Sequence, residues 1–301
     1  MKTCAAALLA LGLLMASAAR AEEDCRLHIM ATLPMTVLDS GRVTVPVGLG
    51  GETLPFLVDT GAPSSLITKS AVERLGLDKF AIPASFEFRM FGGEELHSYV
   101  RTKNFEVGGM MAKRAKFLVM SDRREDFDGL LGWDFLSQFD VDFDFANGKI
   151  NLFKPHPCEG KTVYWTQDES AIAKIPFRTK DTWHIYIPVM IDGKETTAII
   201  DTGASHSVMN LETAESLFGI DENSQGVRLL TNPEDPVYTY PFKTLVFEGV
   251  TVNNPRIGLY PRSKSRFRDR RVLLGISVLQ QLHLFVAFRE KTLYITAADK
   301  H

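Results

Sequence analysis

The sequence of 301 residues contains 34 lysines and arginines against 37 aspartates and glutamates, which gives a net charge of −3. With 45% hydrophobic and 24% charged residues, the composition is that of a globular protein and excludes a disordered, collagen-like or coiled-coil chain. The slightly acidic balance argues against nucleic acid as the main partner. The length allows one large domain or two small ones, each with its own core.

The first 21 residues predict a signal peptide. Lys2 is followed by an apolar run over residues 5–16, and Ala19-Arg20-Ala21 places small residues where a signal is cleaved. A membrane anchor is the alternative, but the run is short for the ~20 residues that span a bilayer. We therefore expect an exported protein, either periplasmic or secreted, with no stable membrane span after the signal is removed.

Three cysteines are present, too few and too scattered for a disulfide scaffold or a zinc site, and we expect no metal. Loss of the signal peptide leaves Cys25 and Cys158. In an oxidising compartment these two either form one disulfide that closes the first half of the chain or stay as free thiols. The sequence does not decide between these alternatives, because it does not show whether their Cα atoms come within bonding distance.

The chain contains an internal repeat. The residues Phe-Leu-Val-Asp-Thr-Gly-Ala at 56–62 recur as Ala-Ile-Ile-Asp-Thr-Gly-Ala at 198–204. Each copy is preceded by an alternating strand pattern and a glycine turn, and is followed by a short helical pattern that ends in glycine. Leu130-Leu131-Gly132 later matches Leu273-Leu274-Gly275, and a final hairpin pattern follows each. Two copies that agree over so many features indicate a duplicated unit.

The duplication predicts a mostly all-β protein. Strand patterns dominate each copy, so we expect two tandem, closed β-barrel lobes related by a pseudo-twofold axis, with one short helix per lobe. The predicted boundaries are a first lobe over 22–154, a linker over 155–170 and a second lobe over 171–301.

Each Asp-Thr-Gly follows three apolar residues, so it lies where a buried strand breaks into a turn. Two such turns that meet about a pseudo-twofold axis would place Asp59 and Asp201 side by side. Two adjacent carboxylates cannot both ionise cheaply, so the pair holds one proton. One member can then activate a water while the other protonates a carbonyl. The pair titrates as a unit, so neither role is assigned to either aspartate.

The paired Asp-Thr-Gly-Ala motifs, the apolar-apolar-Gly motifs and the final hairpins resemble those of retropepsin-type aspartic proteases. The resemblance is to bacterial exported members with two units in one chain, and it spans nearly all of residues 40–297. It implies an endopeptidase that acts on polypeptides without a cofactor, with Asp59 and Asp201 as the catalytic aspartates. It also implies that Thr60 and Thr202 form hydrogen bonds to each other beneath the aspartates and that Gly61 and Gly203 shape the aspartate loops. The two Leu-Leu-Gly motifs are implied to pack behind these loops.

Because both aspartates are on one chain, we expect a monomer that acts as a pseudo-dimer. Pairing of two chains is one alternative. A non-catalytic peptide-binding or scaffolding protein of the cell envelope on the same fold is another, although both aspartates, threonines and glycines are intact.

Members of this family close a hairpin flap over the substrate. Two stretches with turn residues lie at similar distances after the two aspartates, and we predict them as flaps; their residues are Phe91, Gly92, Gly93, Asn232 and Pro233. The alternative is a pair of ordinary hairpin turns that do not touch substrate.

Two further patterns have a less specific interpretation. A basic run over 262–271 either recruits an acidic partner or forms a solvated loop. The alternation of aromatic or aliphatic residues with aspartates over 139–145 predicts a half-buried strand.

Overall fold

The protein is described from a computed structural model that covers residues 26–90, 94–122, 126–155, 162–179, 183–232, 236–261 and 271–299. Several predicted features lie outside these residues: the signal peptide, both cysteines of the possible disulfide, Phe91, Gly92, Gly93, Pro233 and positions 262–270 of the basic run.

The first half of the described chain contains fifteen strands and two helices. They are β1 (Ile29–Pro34), β2 (Thr36–Val37), β3 (Val43–Leu49), β4 (Glu52–Val58), β5 (Leu66–Thr68), α1 (Lys69–Arg74), β6 (Lys79–Ala81), β7 (Phe88–Arg89), β8 (Glu95–Leu96), β9 (Ser98–Thr102), β10 (Phe105–Val107), β11 (Met110–Ala112), β12 (Ala115–Met120), β13 (Gly129–Leu131), α2 (Trp133–Leu136), β14 (Asp140–Asp144) and β15 (Lys149–Phe153).

The second half repeats much of this order after a short 3₁₀ turn at Glu169–Ala171. Its elements are β16 (Ala173–Pro176), β17 (Ile185–Ile191), β18 (Lys194–Ile200), β19 (Ser207–Asn210), α3 (Leu211–Phe218), β20 (Arg228–Leu229), β21 (Tyr238–Thr239), β22 (Thr244–Phe247), β23 (Val250–Asn253), β24 (Ile257–Tyr260), β25 (Arg271–Leu274), α4 (Ile276–Leu279), β26 (Leu282–Ala287) and β27 (Thr292–Ala297). None of the helices in the described ranges is long and apolar enough to cross a membrane.

Each half builds one main sheet, so the predicted fold class of a mostly β protein with two tandem lobes is confirmed. The first sheet has the order β11-β10-β3-β4-β13-β5-β12-β9-β6, with β2 paired to β3, and the second has the order β20-β21-β24-β19-β25-β18-β17-β22-β23. In both, the strand that enters Asp-Thr-Gly runs parallel to the Leu-Leu strand, which is antiparallel to the strand that follows the turn. The Leu-Leu strand thus lies between the strand that enters the Asp-Thr-Gly turn and the strand that leaves it, so each Leu-Leu-Gly motif lies directly behind an aspartate.

A third, six-stranded sheet joins the two halves in the order β1-β15-β14-β26-β27-β16. The final hairpin of each half meets the other at its centre, where Val141 pairs with Val286 and Phe143 with Leu284. Both hairpins are predicted from the sequence. Their pairing with each other is a tertiary contact that no local pattern encodes.

The interpretation of residues 139–145 as a half-buried strand is wrong, because β14 is buried on both faces. Tyr164 and Trp165, from the segment between the two halves, contact residues of this sheet. Asp142 is fully buried there, with the Nε2 of His283 at 2.6 Å from one oxygen and the hydroxyl of Tyr164 at 2.5 Å from the other. The aspartates of β14 are therefore buried carboxylates that accept hydrogen bonds, and they do not form a solvent-exposed face.

The prediction of one short helix per lobe undercounts the helices of the described chain. Each lobe has a second helix of one turn, α2 or α4, directly after the Leu-Leu-Gly strand. A single turn is too short to produce a hydrophobic period of 3.6 residues, so the sequence pattern does not reveal it.

Candidate active site

The two Asp-Thr-Gly turns meet at the boundary between the lobes, and each aspartate is fixed by the strand behind it. The backbone N–H of Asp59 donates to the carbonyl of Leu131 at 3.0 Å, and that of Asp201 donates to the carbonyl of Leu274 at 3.0 Å. The Leu-Leu-Gly motifs therefore support the loops, which is the structural role that the resemblance implies.

Thr60 and Thr202 join the two loops through reciprocal hydrogen bonds. Each threonine N–H donates to the hydroxyl of the other at 3.1 Å. The Thr60 hydroxyl donates to the carbonyl of Ile200 at 2.8 Å, and the Thr202 hydroxyl donates to the carbonyl of Val58 at 2.7 Å. Both threonines are buried, so these bonds fix the spacing of the aspartates that precede them.

Gly61 and Gly203 let the two carboxylates approach. Each glycine N–H donates to the aspartate two residues before it, at 2.8 Å for Asp59 and 3.0 Å for Asp201. A Cβ on Gly61 would lie 2.5 Å from the carboxyl carbon of Asp201, and a Cβ on Gly203 would overlap the carboxylate of Asp59. Neither glycine has a positive φ, so the neighbouring carboxylate and not backbone strain requires glycine here.

The charges and hydrogen-bond donors around Asp59 differ from those around Asp201. Burial raises the pKa of Asp59, but the N–H groups of Gly61 and Ala62 and the guanidinium of Arg42 act against that rise. Burial also raises the pKa of Asp201, and the neighbouring negative charge of Asp59 raises it further, to well above the ordinary value. Two carboxyl groups so placed share a proton over a range of pH in which ordinary aspartates are ionised.

Two serines that are not predicted from the sequence as site residues lie behind the loops. Ser65 and Ser207 each accept a hydrogen bond at 3.0 Å from the glycine of the Leu-Leu-Gly motif. Ser65 also donates to the carboxylate of Asp134 at 2.6 Å, whereas Ser207 lies 3.2 Å from the hydroxyl of Ser277. Their equal spacing from the two aspartates is the sequence signal that could have revealed them.

The glycines of the Leu-Leu-Gly motifs are required by close packing on the same loops. A Cβ on Gly132 would lie 2.7 Å from the backbone of Ser64, and one on Gly275 would lie 2.6 Å from the carbonyl oxygen of Ala204. The residue after Gly275, Ile276, donates its N–H to that same Ala204 carbonyl at 2.8 Å. These motifs therefore hold the two Asp-Thr-Gly loops in position.

Arg42 reaches the site from the position immediately before β3, and no sequence pattern predicts it. Its Nη1 donates to the carbonyl of Gly203 at 3.1 Å, and its Nε donates to the hydroxyl of Ser40 at 3.3 Å. The guanidinium also lies over the ring of Phe127, 5.5 Å from its centroid. A cation of the first lobe therefore contacts the aspartate loop of the second.

The described residues that flank the two predicted flaps pair as antiparallel strands. Strands β7 and β8 pair, and the N–H of Met90 donates to the carbonyl of Glu94 at 2.9 Å. Met90 packs on the apolar cluster that includes Leu57 and Ala62, next to the Asp59 loop. In the second lobe β20 pairs with β21, and Asn232 is exposed three residues after β20 ends. Contact of either hairpin with substrate stays a prediction.

The family model for aspartyl proteases matches the chain twice, over residues 45–135 and 187–278. Each match begins in the strand pair that leads to Asp-Thr-Gly and ends in the one-turn helix after Leu-Leu-Gly. Together they cover more than half of the chain, and the protein therefore belongs to the aspartyl protease family. No curated protein matches the sequence. Among the described residues, no cluster of histidine, cysteine, aspartate or glutamate could hold a metal ion.

Proposed function

We propose that this protein is an exported aspartic endopeptidase in which Asp59 and Asp201 of a single chain hydrolyse peptide bonds. The observation that carries the proposal is the close approach of the two carboxyl groups, which share a side-chain hydrogen bond. The loops are so close that a Cβ added to Gly61 would lie 2.5 Å from the carboxyl carbon of Asp201. Membership of the aspartyl protease family supports a peptidase activity and a polypeptide substrate. The signal-peptide pattern in residues 1–21 supports export.

The chemistry follows from a pair that holds one proton. The ionised carboxylate removes a proton from a water while the water oxygen forms a bond to the carbonyl carbon of the substrate, and the protonated carboxyl donates its proton to the carbonyl oxygen. The carboxyl group that took the water proton then gives it to the amide nitrogen, the C–N bond breaks, and the other carboxylate regains a proton from a hydroxyl group of the intermediate. Both aspartates keep part of their surface exposed, as contact with water and substrate requires.

Both aspartates and both threonines come from one chain, so the proposed enzyme is complete as a monomer. Pairing of the final hairpins in one sheet supports this, because β14 and β26 hold the lobes together without a second copy.

Cleavage of a peptide library by the protein without residues 1–21, from acid to neutral pH, tests the proposal. Asp59→Asn and Asp201→Asn should each abolish cleavage, since each removes one member of the acid–base pair. Asp78→Asn is the matched control, because Asp78 is exposed on the first lobe. An inactive wild type that still binds peptides would instead support a peptide-binding protein, and equal cleavage by all variants would exclude the dyad.

A further inference from the structure

The first lobe contains a cavity that is separate from the aspartate pair. It has a volume of about 400 Å³ and lies between β10, β11, the start of β12 and α2. Neither Asp59 nor Asp201 lines it, and most of its lining residues are apolar. Sites that hold small molecules have volumes of roughly 300–1,000 Å³, so the cavity is large enough for a small ligand.

Four phenylalanines form a continuous aromatic wall of the cavity. The ring of Phe105 packs edge-on against Phe117 and Phe135, with centroids 5.4 and 5.8 Å away, and Phe135 lies 5.3 Å from Phe139. Phe135 and Phe139 keep part of their surface exposed, and Met111, which also lines the cavity, is 60% exposed. This wall therefore presents apolar surface that an apolar ligand can cover.

The second lobe closes the equivalent region with its own side chains. Phe135 and Phe139 correspond to Val278 and Leu282, because each pair follows its Leu-Leu-Gly motif at the same spacing. Val278 and Leu282 are fully buried, whereas both phenylalanines are partly exposed. The shared fold can thus pack this region, so the cavity is a feature of the first lobe alone among these two equivalent regions.

The charged residues of the lining favour an anion. Arg114 and Lys116 are exposed, and neither forms an ion pair with a carboxylate in the part of the chain that the structure describes. The ammonium of Lys116 lies over the ring of Tyr99, 4.4 Å from its centroid. The acidic lining residue, Asp134, is already bound, since one of its oxygens accepts from the N–H and the hydroxyl of Ser65 at 2.8 and 2.6 Å. The guanidinium of Arg114 is therefore the group best able to bind an anionic ligand.

We propose that this cavity binds a single-chain amphipathic anion of the fatty-acid class, with its apolar chain on the aromatic wall and its carboxylate at Arg114. An apolar chain suits the wall, because a polar chain would lose its hydrogen bonds to water there. A guanidinium binds a carboxylate through charge-assisted hydrogen bonds, which a neutral or cationic head group cannot form. The inference is independent of the proposed function, because the cavity does not include the aspartate pair.

Isothermal titration calorimetry of the protein without residues 1–21 tests the proposal with decanoate, kept below its micelle concentration. We expect saturable binding of one equivalent, and weaker binding of decanol and of decyltrimethylammonium, which have the same chain with a neutral or a positive head group. Undetectable binding of decanoate, or equal binding of all three compounds, would overturn the proposal.

Ala115→Phe tests whether the ligand lies in this cavity. Ala115 lines the cavity and packs on the core of the lobe, so a phenyl ring there should fill the space and abolish binding. Ala297→Phe, at an exposed residue at the end of β27, is the control and should bind as the wild type does. Ala112→Leu, a smaller addition to the lining, decides if circular dichroism shows that Ala115→Phe is unfolded. Binding that survives in the folded cavity variant would lie on another surface and would contradict the proposal.

Arg114→Gln tests the head-group contact. It should weaken the binding of decanoate by about 5-fold, the upper end for an exposed ion pair, and leave the binding of decanol unchanged. Arg114→Lys keeps the charge and should retain most of the affinity. Lys194→Gln makes the same change in net charge at an exposed residue of the second lobe and should have no effect. An equal loss for decanoate and decanol would indicate a change in the shape of the cavity and would refute the contact.

These titrations need no turnover, so their outcome is distinct from that of the peptide assay. A protein that cleaves peptides and does not bind decanoate would retain the proposed function and lose this inference. A protein that binds decanoate at the cavity and does not cleave would do the reverse.

Discussion

Thr60 and Thr202 bind each other's backbone across the lobe boundary in a symmetric set of four hydrogen bonds of 2.7–3.1 Å. Each hydroxyl accepts from the N–H of the other threonine and donates to the carbonyl of the residue before the other aspartate. Since both threonines are buried, water cannot replace these bonds if one is lost. The pair therefore links the stability of the molecule to the geometry of its site.

Replacement of Thr60 by valine keeps the shape of the side chain and removes its hydroxyl. The carbonyl of Ile200 and the N–H of Thr202 are then left unpaired in the interior, and we expect a loss of about 2–3 kcal/mol in the free energy of unfolding. A displaced aspartate loop should also lower kcat by about 100-fold. Chemical denaturation and steady-state kinetics measure the two effects.

Thr60→Ser is the control for this change, because serine keeps the hydroxyl and should retain most of the stability and rate. In a double-mutant cycle with Thr202→Val, the two losses should be strongly non-additive. Additive losses would show that the two hydroxyls act independently.

Gly61→Ala tests the close approach of the carboxylates. The new Cβ would lie 2.5 Å from the carboxyl carbon of Asp201, so the loops must separate, at a cost of about 1–3 kcal/mol in stability and most of the activity. Gly258→Ala is the matched control, because its Cβ would meet only ordinary contacts, the nearest at 3.5 Å from a ring carbon of Tyr260. Full activity of Gly61→Ala, measured in the same peptide assay, would contradict the site geometry.

Asp140 makes the stability depend on pH. Its burial raises the pKa to about 6, against the N–H donors of Phe288 and Arg289. The folded protein therefore binds a proton that the unfolded chain has already lost, and its stability falls as the pH rises from the unfolded pKa of 3.8 through about 6. We expect this loss to reach about 2–3 kcal/mol.

Asp140→Asn removes the titrating group while its side-chain oxygen can still accept from Phe288. Thermal or chemical unfolding across this pH range should give a flatter stability curve for the variant than for the wild type, with the largest gain near neutral pH. Asp78→Asn, at an exposed site, should leave the slope unchanged. An equal slope in all three proteins would place the pH dependence elsewhere.

Asp142 holds the shared sheet together at the junction of the lobes. Its carboxylate binds His283 of the second lobe, Asn151 of the first at 2.8 Å and Tyr164 of the connecting segment. Asp142→Ala leaves these buried groups without their acceptor, and we expect a loss of about 3–5 kcal/mol. Asp142→Asn, which keeps the shape without the charge, should lose less.

Fluorescence of Trp165 reports on this network, because its ring stacks on His283 at 3.9 Å between centroids. The Asp142→Ala variant should change the emission of the folded protein as well as the midpoint of denaturation. A loss below about 0.5 kcal/mol, the range of an ordinary surface substitution, would show that the network does not stabilise the sheet.

The sequence was most informative where a feature is local and repeated. Two copies of Asp-Thr-Gly, each after three apolar residues and each followed by Leu-Leu-Gly, predicted the duplicated β lobes and the residues that lie at their boundary. The alternation of strand residues predicted the final hairpins for the same reason, since a period of two is encoded in neighbouring residues. The duplication also predicted that residues 59–61 and 201–203 are equivalent in the two lobes.

Contacts between distant segments were decided only by the tertiary structure. Arg42 reaches Gly203 from a position 161 residues earlier in the chain, and nothing near Arg42 in the sequence marks it. The carboxylate of Asp142 is buried because Tyr164 and His283 bind it and Trp165 stacks on His283. A local pattern fixes which face a side chain takes on its own strand, whereas the partner that covers that face comes from elsewhere in the chain. The duplication therefore predicted which residues form the pair, and long-range packing set their distance, their burial and the unequal charge around them.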